Sequence, residues 1–203
     1  MKNGTLKRLL IIALVALVAA VAYVAFAPST GNEEDEKGGI LSGKYYVQID
    51  IQDYGTIVAE LDADIAPITV TNFMKLVDEK YYDGLTFHRI MSGFMMQGGA
   101  GSPVDAIKGE FAQNGIKNDL KHTRGVLSMA RTVVKDSASS QFFIMHQDAP
   151  HLDGLYAAFG QVLSGMEVVD AICENTPVQD SNGTVKAEDR PVITRIVRIE
   201  KPE

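Results

Sequence analysis

The sequence predicts a mainly β domain, a closed eight-stranded antiparallel β-barrel capped by two α-helices. Three observations lead there. About eight short apolar or alternating runs recur after residue 45, most of them bounded by turn-forming residues. Only two stretches carry a helical period. The runs are also not separated by regular helices, which argues against a parallel α/β sheet. Eight antiparallel strands can close on an interior filled by side chains, and two helices can plug the ends.

The elements follow in order. Residues 45–51, YYVQIDI, alternate and read as a strand; Asp53-Tyr54-Gly55 is a turn and Thr56–Leu61 returns. Pro67 opens a helix, because a proline in the first turn gives up an N–H that would be unbonded anyway. Val70, Phe73, Met74 and Val77 then fall at i, i+3, i+4 and i+7 on one apolar face. Strand-like runs follow at 86–90, 94–97, 126–129, 141–145 and 158–162. A second helix fits Met166–Cys173, with Met166, Val169 and Cys173 on one side. Asn182-Gly183 is a tight-turn signal, and 192–199 is the last strand.

The chain has 203 residues, 46% of them hydrophobic, and the distribution is uneven. Leu9 to Ala27 is a run of 19 hydrophobic side chains without a charge. As a helix it spans roughly 28 Å, close to the hydrocarbon thickness of a bilayer. Lys2, Lys7 and Arg8 precede it, whereas Glu33, Glu34, Asp35 and Glu36 follow it. Positive flanks stay cytoplasmic, so residues 1–8 are expected inside and the body outside a cell membrane. Residues 9–27 thus read as a single-pass anchor. The alternative is a cleaved signal segment and a secreted body, for which Ala25-Phe26-Ala27 has the small-x-small pattern. Residues 28–44, rich in acids, Gly and Ser, read as a flexible linker, leaving 45–203 as the domain.

The net charge of −7 includes those three N-terminal cations, so the remainder carries −10, an unfavourable balance for nucleic acid. Cys173 is the single cysteine, which excludes intramolecular disulfides and cysteine-paired metal sites. Gly38, Gly43 and Lys44 match the start of a phosphate-binding loop. Tyr45 follows in place of the Ser or Thr that would hold magnesium, and no strand precedes the glycines. No G-x-S-x-G and no H-E-x-x-H occurs, and His88, His122, His146 and His151 lie on separate segments without metal-ligand spacing. A nucleophile, a metal, a cofactor and a phosphate cradle are therefore all absent from the motifs.

Two runs stand out instead: FHRIMSGFMMQGG (87–99) and SSQFFIM (139–145). Phe87, Ile90 and Phe142 read as core. Arg89, Gln97 and Gln141 are costly among such neighbours unless each has a partner or a task.

These runs, with GVLSMAR (125–131), SSQFFIMH (139–146) and HLDGLYAAFG (151–160), resemble the cyclophilin family of peptidyl-prolyl cis-trans isomerases, in the family's order across roughly 45–200. The resemblance implies the closed barrel with two capping helices. It places Arg89 at the catalytic arginine and Phe94, Met95, Phe143 and Leu152 at the proline pocket. Gln97 and Gln141 match groups that hold the substrate backbone, Ala130 and Arg131 the segment beside it, and His88 the neighbour of the arginine. His151 and Tyr156 stand where well-known members carry Trp and His; Arg131 stands where Asn is common, and Ala100 where Asp is frequent. Loss of the indole removes a main contact for cyclosporin-type ligands.

The chemistry this implies is isomerisation of X-Pro bonds in exported or unfolded polypeptides, by a monomer with no cofactor. Arg89 would stabilise the twisted amide within an apolar pocket. The competing reading is a non-catalytic, chaperone-like module that binds Pro-containing segments in the same groove.

Overall fold

The computed structural model describes residues 39–203. The anchor expected at 9–27 and the linker up to 38 lie outside them. Among the described residues no helix is long and apolar enough to cross a membrane. Ile40–Glu203 forms one compact unit, so the body begins earlier than the expected boundary at 45. Leu41 is buried in the core and its N–H donates to Thr71 Oγ1 at 2.9 Å. With Ile40 as its single apolar neighbour among Gly and Ser, it gives no periodic signal. Lys44, from the phosphate-loop match, begins the first strand and its ammonium group pairs with Glu60 at 3.2 Å and with Asp62.

Eight strands and two helices form in the expected order: β1 (Lys44–Ile51), β2 (Gly55–Asp62), α1 (Pro67–Asp78), β3 (Phe87–Met91), β4 (Met95–Gly98), β5 (Val126–Met129), β6 (Phe142–Met145), β7 (Ala158–Ser164), α2 (Met166–Asn175) and β8 (Ile193–Ile199). All pair antiparallel in one sheet of order β3-β4-β6-β5-β7-β2-β1-β8.

The expected closure does not occur; the sheet is an open half-barrel with β3 and β8 at its edges. The two edges meet only up to the first residue of β3, through the Thr86–Val192 bridge and the bonds Gly84 N–H to Ile193 O (2.8 Å) and Phe87 N–H to Pro191 O (3.0 Å). Pro191 has no N–H with which to extend that ladder. Residues 183–185 take the outer edge of β3 in its place: Ile90 N–H donates to Gly183 O at 2.8 Å and Val185 N–H to His88 O at 3.0 Å.

The sheet's inner face holds Val47, Ile49, Leu61, Ile90, Phe142 and Phe159, each at most 1% exposed. The expected face of α1 closes this core: Val70, Phe73, Met74 and Val77 are all buried. The Phe73 ring lies 5.1 to 5.4 Å from Tyr82, Phe142 and Phe159, within the range of favourable aromatic pairs. Pro67 sits in the first turn of α1 as expected, and the free N–H groups of Ile68 and Thr69 are bound by the carboxylate of Glu110 at 3.0 and 2.7 Å. That cap comes from more than 40 residues away. On α2, Val169 and Cys173 are buried, and burial, with Asp170 and Glu174 nearby, pushes the Cys173 thiol up to about 12.

Candidate active site

β5 and β6 are buried along their whole length, with both faces covered. Alternation therefore divides their side chains between two clusters. Leu127, Met129, Phe142 and Ile144 enter the main core, whereas Val126, Phe143 and Met145 join Met95, Ala149, Leu152 and Ala158 on the other face. The second face carries the site.

Strand register builds a row across it. Arg89 on β3 lies opposite Gln97 on β4, Gln97 opposite Phe143 on β6, and Phe143 opposite Ser128 on β5. A bulge between Phe87 and Arg89 makes the row possible. It inserts His88 as an extra residue, so Phe87 and Ile90 both reach the core while Arg89 emerges on the site face.

The guanidinium is held on two sides. Nε donates to Asn182 O at 2.9 Å; Nη2 donates to Asn182 Oδ1 at 3.1 Å and lies 3.2 Å from Met91 Sδ. Nη1 has one long partner, Gln97 Oε1 at 3.4 Å, and Gln97 Nε2 in turn donates to Gln141 Oε1 at 3.0 Å. Asn182 is held by its own turn, in which Asp180 Oδ1 accepts from the N–H of Asn182 (3.0 Å) and of Thr184 (3.1 Å). Gly183 has φ +79 there, and a Cβ on it would strike Ile90 O, so this position requires glycine.

Beside Arg89 lies a cavity of about 210 Å³. Every expected site residue lines it except His88, Gln141 and His151. His88, displaced by the bulge, is half-buried off the cavity; burial and the charge of Arg190 lower its pKa. Gln141 stands behind Gln97 and orients it. His151 is exposed and stacks on Phe94 with ring centroids 5.6 Å apart, forming a rim. Arg131 lines the cavity, but its guanidinium is committed: Nε and Nη2 donate to Leu155 O at 3.0 and 2.7 Å. It also covers the Tyr156 and Phe111 rings at 4.7 and 4.9 Å. It braces the wall beside which the resemblance placed the substrate backbone.

Three supports were not expected from the sequence. His122, 1% exposed, stacks behind Phe143 at 6.1 Å. Its Nδ1 donates to Asp153 Oδ1 (3.1 Å) and its Nε2 accepts from Ser128 Oγ (3.0 Å), the pattern of a neutral ring. Burial lowers the His122 pKa against the pull of Asp153. Asp153 is itself held below the usual carboxylate range: burial pushes it up, but bonds from the His122 N–H and ring outweigh this. On the other side, the Gly93 N–H donates to buried His146 Nδ1 at 2.9 Å, fixing the turn that carries Phe94. Asn182 is the third, read only as a turn former.

The family model for cyclophilin-type peptidyl-prolyl cis-trans isomerases matches residues 46–201. The chain belongs to this family. Peptidyl-prolyl cis-trans isomerase B of Bacillus subtilis is 42% identical over 146 residues, covering 69% of this chain and 93% of that protein. Peptidyl-prolyl cis-trans isomerase A of Dickeya dadantii is 38% identical over 154 residues, covering 72% and 80%. A crystal structure of a cyclophilin-type isomerase from Cryptosporidium parvum superposes with a TM-score of 0.68 at 30% identity, over 79% of this chain and all of that one. The same isomerase solved in the presence of the dipeptide Ala-Pro gives 0.65 at 29% identity, over 77% and 99%. In this cyclophilin, the Arg89–Gln97–Gln141 chain lies beside the cavity, which Arg89 and Gln97 also line.

Proposed function

We propose that Arg89 is the catalytic residue, and that it acts on X-Pro bonds seated in the cavity beside it. The carrying observation is the uneven commitment of its guanidinium: Nε and Nη2 are held by Asn182, while Nη1 has only a 3.4 Å contact to Gln97. Arg89 thus keeps spare donor capacity on a cavity that Phe94, Met95, Phe143 and Leu152 also line. The barrier to rotation, about 18–20 kcal/mol, comes from amide resonance. At the twisted midpoint the proline nitrogen regains a lone pair. A donor aimed there stabilises that state above either planar one. The apolar wall seats the ring and replaces water, which favours the planar, charge-separated amide.

One hydrogen bond from a charged donor is worth about 1.5–3 kcal/mol, or roughly tenfold to a hundredfold in rate. Arg89→Ala should therefore lower kcat/KM by about that factor in a prolyl isomerisation assay. An Arg89→Ala enzyme at the wild-type rate would sink the assignment. Arg89→Lys should recover little of the lost rate, since lysine lacks the planar fork.

The clients we propose are exported or unfolded polypeptides, met outside a membrane in which residues 9–27 anchor the chain. The uncharged 19-residue run and its charge asymmetry support this. Fractionation of the native host with intact mass tests it. A species beginning near Pro28 in the medium would replace the anchor by secretion.

A further inference from the structure

Met91 ends β3 outside the cavity lining, and its sulfur lies 3.2 Å from Arg89 Nη2. The N–H groups of that nitrogen are shared between Asn182 Oδ1 and a thioether, which is a weak acceptor. The remaining methionines differ in access. Met74, Met95, Met96, Met129 and Met145 are each at most 1% exposed. Among the described residues only Met91 and Met166 keep accessible surface, and Met91 is followed by the exposed Ser92 and Gly93. Met166 stands at the start of α2; neither methionine lines the cavity, and it is Met91 that contacts the guanidinium.

We propose that Met91 is a peroxide-sensitive modification site whose oxidation to the sulfoxide lowers isomerase activity by capturing the Arg89 guanidinium. The chemistry balances with a peroxide as oxidant. The thioether sulfur attacks one peroxide oxygen and the O–O bond breaks. Sulfur gains that oxygen and loses two electrons; with hydrogen peroxide, the transferred oxygen gives its proton to the departing hydroxide, which leaves as water. The product carries an S–O oxygen where a weak sulfur acceptor stood. The new oxygen extends one bond beyond the sulfur, on a side chain with three rotatable bonds, and accepts from a charged donor. A stronger acceptor on the Nη2 side turns the guanidinium toward Met91 and away from the orientation that presents Nη1 to the substrate nitrogen, and it sets a polar group against the apolar cluster that Met91 touches. Reduction by methionine sulfoxide reductases reverses the change. The inference rests on the catalytic reading of Arg89.

The test is graded hydrogen peroxide treatment of the full chain, with oxidised sites mapped by peptide mass and kcat/KM measured on each sample. Met91 and Met166 should gain oxygen first. The rate should fall about threefold to tenfold in proportion to the Met91 sulfoxide fraction and recover after reductase treatment. Met166→Leu should lose activity as the wild type does, whereas Met91→Leu should hold its own starting rate through the same treatment. Met91→Gln, which places an amide oxygen near the guanidinium, should be slowed without peroxide. Full oxidation at Met91 with an unchanged rate would overturn the inference, as would an equal loss in Met91→Leu or a Met91→Gln enzyme as fast as wild type. Arg89→Ala, assayed in parallel, separates the two failures: a wild-type rate there removes the catalytic reading itself.

Discussion

The two walls of the cavity are built on different plans. The apolar wall is continuous with the fold: Met95, Phe143 and Leu152 are at most 8% exposed, and behind them buried His122 bonds to buried Ser128 and to partly buried Asp153. The arginine wall is attached to the fold's edge. Arg89 is half-exposed on an edge strand and is held by Asn182 from an exposed surface turn. A catalytic donor that must move its hydrogen bonds toward a twisting amide benefits from an edge. A surface that must seat a ring and exclude water has to be packed. Stability and rate should therefore separate between the walls: damage to the apolar wall costs both, and damage to the arginine wall costs rate alone.

The largest test of that separation is Phe143→Ala. Truncating a buried phenylalanine costs about 3–5 kcal/mol, so denaturant midpoints and Tm should fall clearly together with kcat/KM. If Phe143→Ala lost activity while keeping its stability within about 1 kcal/mol, the apolar wall would be no more part of the fold than the arginine wall is.

His122 sharpens the comparison by pH. Its folded pKa lies below the free value near 6.5, chiefly through burial, and that of His88 is lowered as well. Below that pH the unfolded chain binds protons that the native rings resist, so stability rises with pH. It should be full above about pH 7 and lost progressively as pH falls below 6.5. Urea melts across this range measure the slope, and His122→Gln, which does not titrate, should flatten it. An unchanged slope in His122→Gln would mean that the ring behind Phe143 is not the group that resists protonation.

How far the molecule was legible follows the same division. Strands and helices were read almost to the residue because alternation and the Val70–Val77 period are local signals. The open seam was not, because it depends on residues 183–185 displacing β8 from the edge of β3. Nine site residues that the resemblance implied gather at the cavity, and strand register with the bulge at His88 carries Arg89, Gln97 and Phe143 into one row. His88 misses it because one bulge residue changes the phase of β3, which no pattern in FHRIM reveals. Glu110, His122, His146 and Asn182 act across dozens of positions. Each looked like a solitary polar residue until the chain folded.

The smallest effect is the most discriminating. Asn182 touches no cavity surface, yet its main-chain and side-chain oxygens hold two of the three guanidinium nitrogens. Asn182→Ala removes only the side-chain bond to Nη2, because the carbonyl remains. The position is exposed and Gly183, not Asn182, bears the positive φ, so the turn should persist and Tm should move little. The guanidinium then samples orientations in which Nη1 misses the amide nitrogen, and kcat should fall about threefold to tenfold with KM nearly constant, since one hydrogen bond near 1 kcal/mol is lost. Repeating the substitution in Arg89→Ala decides the cause. A positioning residue has nothing left to position there, so the double variant should be no slower than Arg89→Ala alone. Additive losses would place Asn182 in direct contact with the substrate and join the two walls into one.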